Sequence, residues 1–333
     1  MANSILDLLI IENPSQVLTL KREVAKSPNI PLHIIEQLKN DSDRNVRLNI
    51  FVNPNTPDKI LDYLVKEGST KFGLKPARKT DTPARILDYL KNHPNGTVRL
   101  KVAKNPSTPA KTLDYLRNDK SLLVREWVAR NSSTPNNILE KIANSPTECS
   151  FVSATASRVL EERRAQDENT PSEILAQLAV DNWGKPVTIA VAQNPNTSLE
   201  TLQELLNHTD EEVTRLAKYN LEQKRKAIQQ AKNENTPAAI LARLASNKSK
   251  TVRQYVASNP NTALEVLEKL SNEFPEEVIA NSVFDLLILE NASKRHQSFF
   301  VSAIMLARVS KTPTKTFIEK MDSTLLIDIG YFT

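Results

Sequence analysis

The sequence predicts an all-α fold: a right-handed α-solenoid (superhelix) of about ten two-helix repeats, mostly 26 residues long, with some short or 3-10 helices. Near-identical segments recur at a fixed spacing, since "NPNTPDKILDYL" at 53–64 returns as "NPSTPAKTLDYL" at 105–116. Self-similarity of this kind is typical of stacked units that bury their apolar faces on one another. The chain also has only 5 glycines and 19 dispersed prolines among 333 residues, which favours helices joined by stiff turns.

The repeat length is set by Thr-Pro steps. A spacing of 26 residues separates Pro31, Pro57, Pro83, Pro109 and Pro135. Further anchors are Pro171, Ser198, Pro237, Ala263 and Pro313. We expect the threonine of each step to cap the first helix of the unit with its hydroxyl, and the proline to take the first helical position. These threonines are Thr56, Thr82, Thr108, Thr134, Thr170 and Thr236.

Each unit is predicted to contain two short helices. In the first helix, apolar residues such as Ile60, Leu61 and Leu64 form one stripe. The second helix has sequences such as "VRLKVAKN" and "VREWVARN", in which the valine and the residue four positions later face inward. Because asparagine tolerates the left-handed helical conformation, we expect the closing asparagine to end this helix in that conformation. The closing asparagines are Asn53, Asn105, Asn131 and Asn259.

The pattern VRxxVAxNPxTPxxxLxxL is best preserved at 98–116, 124–142 and 252–270. It resembles the leucine-rich-repeat variant family of α-solenoids, which are related in shape to HEAT and armadillo arrays. The resemblance covers most of residues 29–270 and implies the fold, but it says little about function. The founding arrangement of that family also carries a cysteine-rich iron–sulfur segment. This chain has a single cysteine, Cys149, so we expect no cluster, no metal and no other cofactor.

We predict one repeat array over residues 1–333, with an N-terminal capping segment at 1–30, core repeats at 31–281 and a C-terminal unit at 282–333. Two core units, 135–170 and 198–236, are enlarged, and their surplus residues are predicted to lengthen the second helix. Residues 4–15 and 282–293 agree at eight of twelve positions. Either a second array begins near 282, or both segments are apolar terminal units that seal the solenoid or mediate self-association.

The positive charge is concentrated in two units. The chain carries a net charge of +5, while residues 83–134 hold ten Lys and Arg against four acids. The second-helix positions predicted to face solvent there are Leu100, Lys101, Lys104, Glu126, Trp127 and Arg130. Tryptophan and arginine are enriched at interaction sites. The predicted partner-binding residues are therefore Arg99, Lys101, Lys104, Arg125, Trp127 and Arg130. Alternatively, Trp127 packs between neighbouring helices and the cations are merely solvated.

Two other repeated positions allow either a structural or a binding role. The first position holds Arg47, Arg99, Arg125 and Arg253. We favour the hypothesis that each guanidinium bonds a turn or a carboxylate of an adjacent unit over a groove for anions. The second position holds Tyr63, Tyr89 and Tyr115, which form a contact strip or pack ring against stem across neighbouring helices.

The sequence favours a non-enzymatic scaffold that binds a protein or peptide through its curved face. The four histidines lie far apart in no metal-ligand spacing, and no glycine-rich phosphate loop occurs. No catalytic residues are therefore assigned. The first alternative is nucleic-acid binding by the basic units. A weaker one is an enzyme similar to the HEAT-like DNA-repair glycosylases or bilin lyases.

Without a signal peptide or an apolar run of bilayer length, we expect a cytoplasmic protein with no membrane partner.

Overall fold

The computed structural model describes residues 14–68, 70–181 and 183–283. Within these ranges the chain is all-helical, without strands, and its helices pack in consecutive order as an α-solenoid. The predicted fold class is thus confirmed. In the same ranges no helix combines the length and the apolar character that a bilayer span requires.

The chain divides after Leu160 into two compact units, each described by itself. The helices of the first unit are α1 (Pro14–Lys26), α2 (Leu32–Leu38), α3 (Arg44–Val52), α4 (Asp58–Gly68), α5 (Thr70–Arg78), α6 (Ala84–Leu90), α7 (Gly96–Lys104), α8 (Ala110–Leu116), α9 (Leu122–Arg130) and α10 (Asn136–Ala143). The division falls within α11 (Ser150–Gln166). The second unit contains α12 (Ser172–Val180), α13 (Lys185–Gln193), α14 (Leu199–Glu204), a 3-10 helix (Leu205–Asn207), α15 (Glu211–Lys232), α16 (Ala238–Leu244), α17 (Lys250–Ser258), α18 (Leu264–Leu270) and α19 (Pro275–Ala280).

The extent of the array is only partly covered by these ranges. The prediction of one array over 1–333 stays a prediction. All but two residues of the predicted C-terminal unit (282–333) lie outside the described residues. The same holds for each of the similar segments 4–15 and 282–293, and so for the hypothesis of self-association through them. In the two units predicted to be enlarged, α11 has 17 residues and α15 has 22, whereas α7 has 9.

The second helices of consecutive repeats pack directly on one another. In the first unit α1 contacts α3, and α7 contacts both α5 and α9; in the second unit α15 contacts α13 and α17. The predicted inward valines, such as Val98 and Val102 in α7, are fully buried. Gly73 of α5 faces the first of these: a Cβ added to Gly73 would lie 2.8 Å from Val98 Cγ1. Glycine therefore permits the close approach of α5 and α7.

The threonine of the Thr-Pro step does not cap the helix that follows it, so this prediction is wrong. The Thr108 hydroxyl instead donates to the carbonyl of Val102, in the last turns of the preceding helix, over 2.6 Å. Pro109 is the N-cap residue, with extended backbone and no side-chain cap, and the helix begins at Ala110. The sequence predicted the proline itself as the first helical residue. The same threonine bond is made by Thr56, Thr82, Thr134, Thr170, Thr197, Thr236 and Thr262. The threonine therefore closes the second helix of its own repeat.

The closing asparagine is extended rather than left-handed, with φ −75° at Asn105, so that expectation is also wrong. Asn105 Nδ2 donates to the carbonyls of Ala77 (3.1 Å) and Lys79 (2.8 Å) in the preceding repeat, and its Oδ1 accepts from Ser107 N (2.9 Å). The same three bonds are made by Asn53, Asn131, Asn194, Asn259 and Asn281. All these asparagines are buried. We call this row the asparagine ladder; it connects each repeat to the one before.

Thr108→Val is expected to lower the free energy of unfolding by about 1–2 kcal/mol, because the buried Val102 carbonyl loses its hydroxyl donor. The matched control is Thr97→Val, at an exposed threonine in α7. Urea unfolding followed by Trp127 fluorescence, in a Trp183→Phe background, reports on the first unit. Equal losses in the two variants would contradict the role given to the threonine hydroxyl.

Candidate binding sites

Most of the positive charge in residues 83–134 is neutralised within the chain. The ion pairs are Arg85–Asp58, Lys91–Asp88, Arg99–Asp119, Lys111–Asp88, Arg117–Asp114, Arg125–Glu148 and Arg130–Glu126. Three cations of this region, Lys101, Lys104 and Lys120, pair with no carboxylate among the described residues. The charge available to a partner is therefore smaller and more localised than the sequence predicts.

Three of the four repeated arginines pair with a carboxylate of the following repeat, as the favoured structural hypothesis states, whereas the hydrogen bond of Arg47 to Ser42 lies within its own repeat. Arg99 is only 6% exposed. It donates to both carboxylate oxygens of Asp119 (2.6 and 3.1 Å) and to the His93 carbonyl (2.8 Å). Arg125 binds the Glu148 carboxylate in the same way, at 2.9 and 3.0 Å. Arg253 pairs with Glu273, and Arg47 donates to the carbonyl of Ser42.

The sequence predicted Arg99 and Arg125 as partner-binding residues, but neither side chain is free to contact a partner. Their guanidinium groups are occupied by carboxylates and carbonyls of this chain, and the hydrogen-bonded carboxylates raise the pKa of both arginines. A partner would have to break these partly buried, charge-assisted bonds to reach them, at a cost in free energy.

The remaining predicted residues lie together on α7 and α9. Trp127 is half-buried and packs against the core of the first unit. Lys104 Nζ lies 3.8 Å from the centroid of its ring, and Arg130 Cζ lies 5.7 Å from it. Lys101 lies on α7, three residues before Lys104. We call Lys101, Lys104, Trp127 and Arg130 the cation–tryptophan surface.

Two residues predicted to face solvent beside this surface do not. Glu126 is buried and forms an ion pair of 2.7 Å with Arg130. Leu100 is partly buried and packs against the core. The solvent-facing surface at these two positions is therefore smaller than the sequence predicts.

The contact between cation and aromatic ring recurs in the second unit. Lys232 Nζ lies 4.3 Å from the centroid of the Tyr255 ring. Lys232 and Lys104 each end a second helix, and each contacts the aromatic residue three positions after the valine of the next second helix. The contact therefore also serves repeat packing. The first-unit surface differs in having a second cation, Arg130, over the ring. It also has Lys101 on the same helix as Lys104, and Lys101 pairs with no carboxylate among the described residues.

The tyrosine row packs across neighbouring repeats, as one of the two hypotheses stated. Lys39 lies over the Tyr63 ring and Lys91 over the Tyr115 ring, each at 5.1 Å from the centroid. The Tyr89 hydroxyl donates to Asp62 over 2.7 Å. The row thus contributes to stacking, although Tyr63 and Tyr115 also stay exposed on one side.

A cavity of about 300 Å³ in the second unit was not predicted. The side chains of Leu202, Ala227 and Val252 form its apolar part. Its polar lining includes Asn220, Lys224, Asn247 and Ser249. At its edge Lys248 and Glu168 form an ion pair of 2.6 Å.

Lys224 is the buried cation of this cavity, with 9% of its surface exposed. Its Nζ donates to the carbonyls of Pro195 (3.0 Å) and Thr197 (2.6 Å), and it pairs with no carboxylate among the described residues. Burial lowers the pKa of Lys224 to about 8, against the opposing effect of Glu200. Asn220, one turn earlier, donates to Ala192 O over 2.8 Å.

The sequence contains a signal for this arrangement. Asn220 follows Val213 by seven residues, the spacing that separates Asn105 from Val98. Residue 221 is leucine rather than proline, so α15 continues past the ladder position. The next turn of the helix then brings Lys224 to the carbonyls of the preceding repeat.

Ser249 also lines the cavity, at the N-cap of α17. It is 4% exposed, and its hydroxyl has no hydrogen-bond partner among the described residues. Buried hydroxyls in native proteins usually have a partner. This hydroxyl is therefore an unused hydrogen-bond donor in a residue that lines the cavity.

The described ranges contain no group of three or more His, Cys, Asp or Glu that could hold a metal ion.

No protein-family model matches the chain, and no curated protein matches it. Among solved structures, the crystal structure of an engineered protein is 16% identical, with 83% of this chain and 95% of that chain covered, at a TM-score of 0.24. A TM-score this low supports no argument about fold or function.

The stability of the second unit is expected to depend on the charge of Lys224. An unfolded lysine has a pKa of about 10.4, so between pH 8 and 10 the unfolded state holds more protons and stability rises with pH. Relative to Lys224→Met, the wild type should gain on the order of 2 kcal/mol over this range. Urea unfolding followed by Trp183 fluorescence, in a Trp127→Phe background, measures this difference. A difference that is independent of pH would contradict the burial of a charged Lys224.

Proposed function

We propose that this chain is a non-enzymatic repeat scaffold that binds an acidic protein or peptide segment on the curved face formed by its second helices. The main support is the cation–tryptophan surface. There, Lys104 lies over the Trp127 ring and Lys101 lies three residues earlier on α7, and no described carboxylate neutralises the charge of either lysine. A partner carboxylate next to an apolar or aromatic side chain matches this combination.

The surface is ordered before a partner arrives. Trp127 is fixed by the core of the first unit and by the cation over its ring. Side chains that are already immobilised lose little conformational entropy on binding. Charge-assisted hydrogen bonds to a carboxylate are stronger than neutral ones, and this favours an acidic segment over a neutral one.

Nucleic-acid binding is the alternative, and the charge distribution disfavours it. Proteins that track phosphates neutralise roughly six to ten of them, whereas only three cations of residues 83–134 are unpaired with described carboxylates. The enzymatic alternative has less support. A base-excision site would combine an aromatic ring and a carboxylate in a basic cleft, but the carboxylate of Glu126, beside Trp127, is buried and paired with Arg130.

We further propose that the repeats are of the leucine-rich-repeat variant type and that the chain acts in the cytoplasm. The first proposal rests on the VRxxVAxNPxTP pattern, with support from its regular helix pairs. The second rests on the sequence alone.

A selection from a random peptide library on the full chain tests the main proposal. We expect the selected peptides to be enriched in Asp and Glu, and their affinity for Lys101→Glu/Lys104→Glu to be at least about tenfold lower than for the wild type. Charge reversal is used because Trp127→Ala would also remove packing against the core. The matched control is Lys218→Glu/Lys226→Glu, at two exposed lysines of α15.

Two results would contradict the proposal. One is a selection without acidic residues; the other is equal binding by the two double variants. Fluorescence anisotropy with single-stranded and duplex oligonucleotides tests the alternative. Tight oligonucleotide binding that weakens steeply with salt, together with no peptide selection, would favour nucleic acid.

A further inference from the structure

The cavity of the second unit combines several features that favour a negatively charged group. The Lys224 ammonium has three hydrogens, and the carbonyls of Pro195 and Thr197 accept two of them. The Ser249 hydroxyl is a second donor without a partner among the described residues. Ser249 also precedes α17, a nine-residue helix whose amino-terminal end carries partial positive charge.

The charges around the cavity leave Lys224 without a neutralising partner. Lys248 and Glu168 neutralise each other at the edge. Glu200 acts on Lys224 only over a longer distance, without an ion pair. The lining therefore carries one net positive charge, and its bound ligand would be an anion rather than a cation.

The remaining lining is apolar. Leu202, Ala227 and Val252 offer a surface for a short hydrocarbon chain. The cavity volume of about 300 Å³ is at the lower end of the range for ligand pockets. A water molecule occupies roughly 30 Å³ in the liquid, so such a volume corresponds to a ligand of about ten non-hydrogen atoms.

We propose that this cavity binds a small carboxylate, with the carboxylate held by Lys224 Nζ and the Ser249 hydroxyl and a short apolar chain lying on Leu202, Ala227 and Val252. This site lies in the second unit, and it is independent of the cation–tryptophan surface and of the function proposed for it.

The site has a defined pH dependence. A bound carboxylate stabilises the charged form of Lys224, so the complex holds a proton that the empty cavity loses above pH 8. Affinity should fall as the pH rises from 8 to 10. The other charged groups near Lys224 are Glu168 and Lys248, which pair with each other at the edge, and Glu200.

Isothermal titration of the full chain with hexanoate tests the site, with hexylamine and inorganic phosphate as comparison probes. We expect saturable binding of hexanoate at neutral pH and no binding of hexylamine. Ser249→Ala should weaken hexanoate binding about tenfold, since it removes one hydrogen bond to a charged group. Lys224→Met should weaken it at least about a hundredfold. Lys226→Met, at an exposed lysine of the same helix, is the matched control and should bind as the wild type does.

Several outcomes would overturn the proposal. They are no hexanoate binding up to about 10 mM, equal hexanoate affinity of the wild type and Ser249→Ala, and hexylamine binding as tight as that of hexanoate. Tighter binding of phosphate than of hexanoate would show an anion site that does not use the apolar surface, and so would overturn the carboxylate assignment. Because Ser249→Ala removes only one oxygen, it keeps the test valid if Lys224→Met fails to fold.

Discussion

The hydrogen bonds from one buried asparagine to two carbonyls of the preceding repeat are the interaction on which this fold depends. The last carbonyls of any helix lack partners within that helix. Here the threonine of the same repeat satisfies one of them, as Thr108 does for Val102, and the asparagine of the next repeat satisfies others, as Asn105 does for Ala77. Each second helix is therefore completed by the repeat that follows it, and this requirement favours stacking in one direction along the chain.

The candidate ligand cavity occurs where this rule changes. In α15 the helix continues past Asn220, and one turn later Lys224 donates further hydrogen bonds to carbonyls of the preceding repeat. Lys224 satisfies these carbonyls, but it is a buried cation that pairs with no carboxylate in the part of the chain that the structure describes. A change in helix length can thus convert a packing contact into a site with its own chemistry.

The sequence predicted the positions of the repeat residues better than the direction of their hydrogen bonds. Period and apolar spacing predicted the helix pairs, the enlarged helices and the arginine contacts. A hydroxyl or an amide both donates and accepts, so the sequence alone could not show that Thr108 and Asn105 donate to carbonyls. Glu126 was predicted to face solvent because helical periodicity shows which face of a helix a residue lies on, but not which neighbouring helix packs against that face. Lys224 lies in the charged run "EQKRK", which looks like a solvated face, although the spacing of Asn220 could have shown otherwise.

The most direct test of the ladder is the unfolding free energy of Asn105→Ala, measured by urea titration with Trp127 fluorescence in the Trp183→Phe background. Asn92→Ala, at an exposed asparagine in the turn between α6 and α7, is the control. The account predicts a loss of about 2–4 kcal/mol for Asn105→Ala, because two carbonyls and one N–H lose their partner, and almost none for Asn92→Ala. A loss below about 0.5 kcal/mol at Asn105, equal to that of a surface substitution, would contradict it.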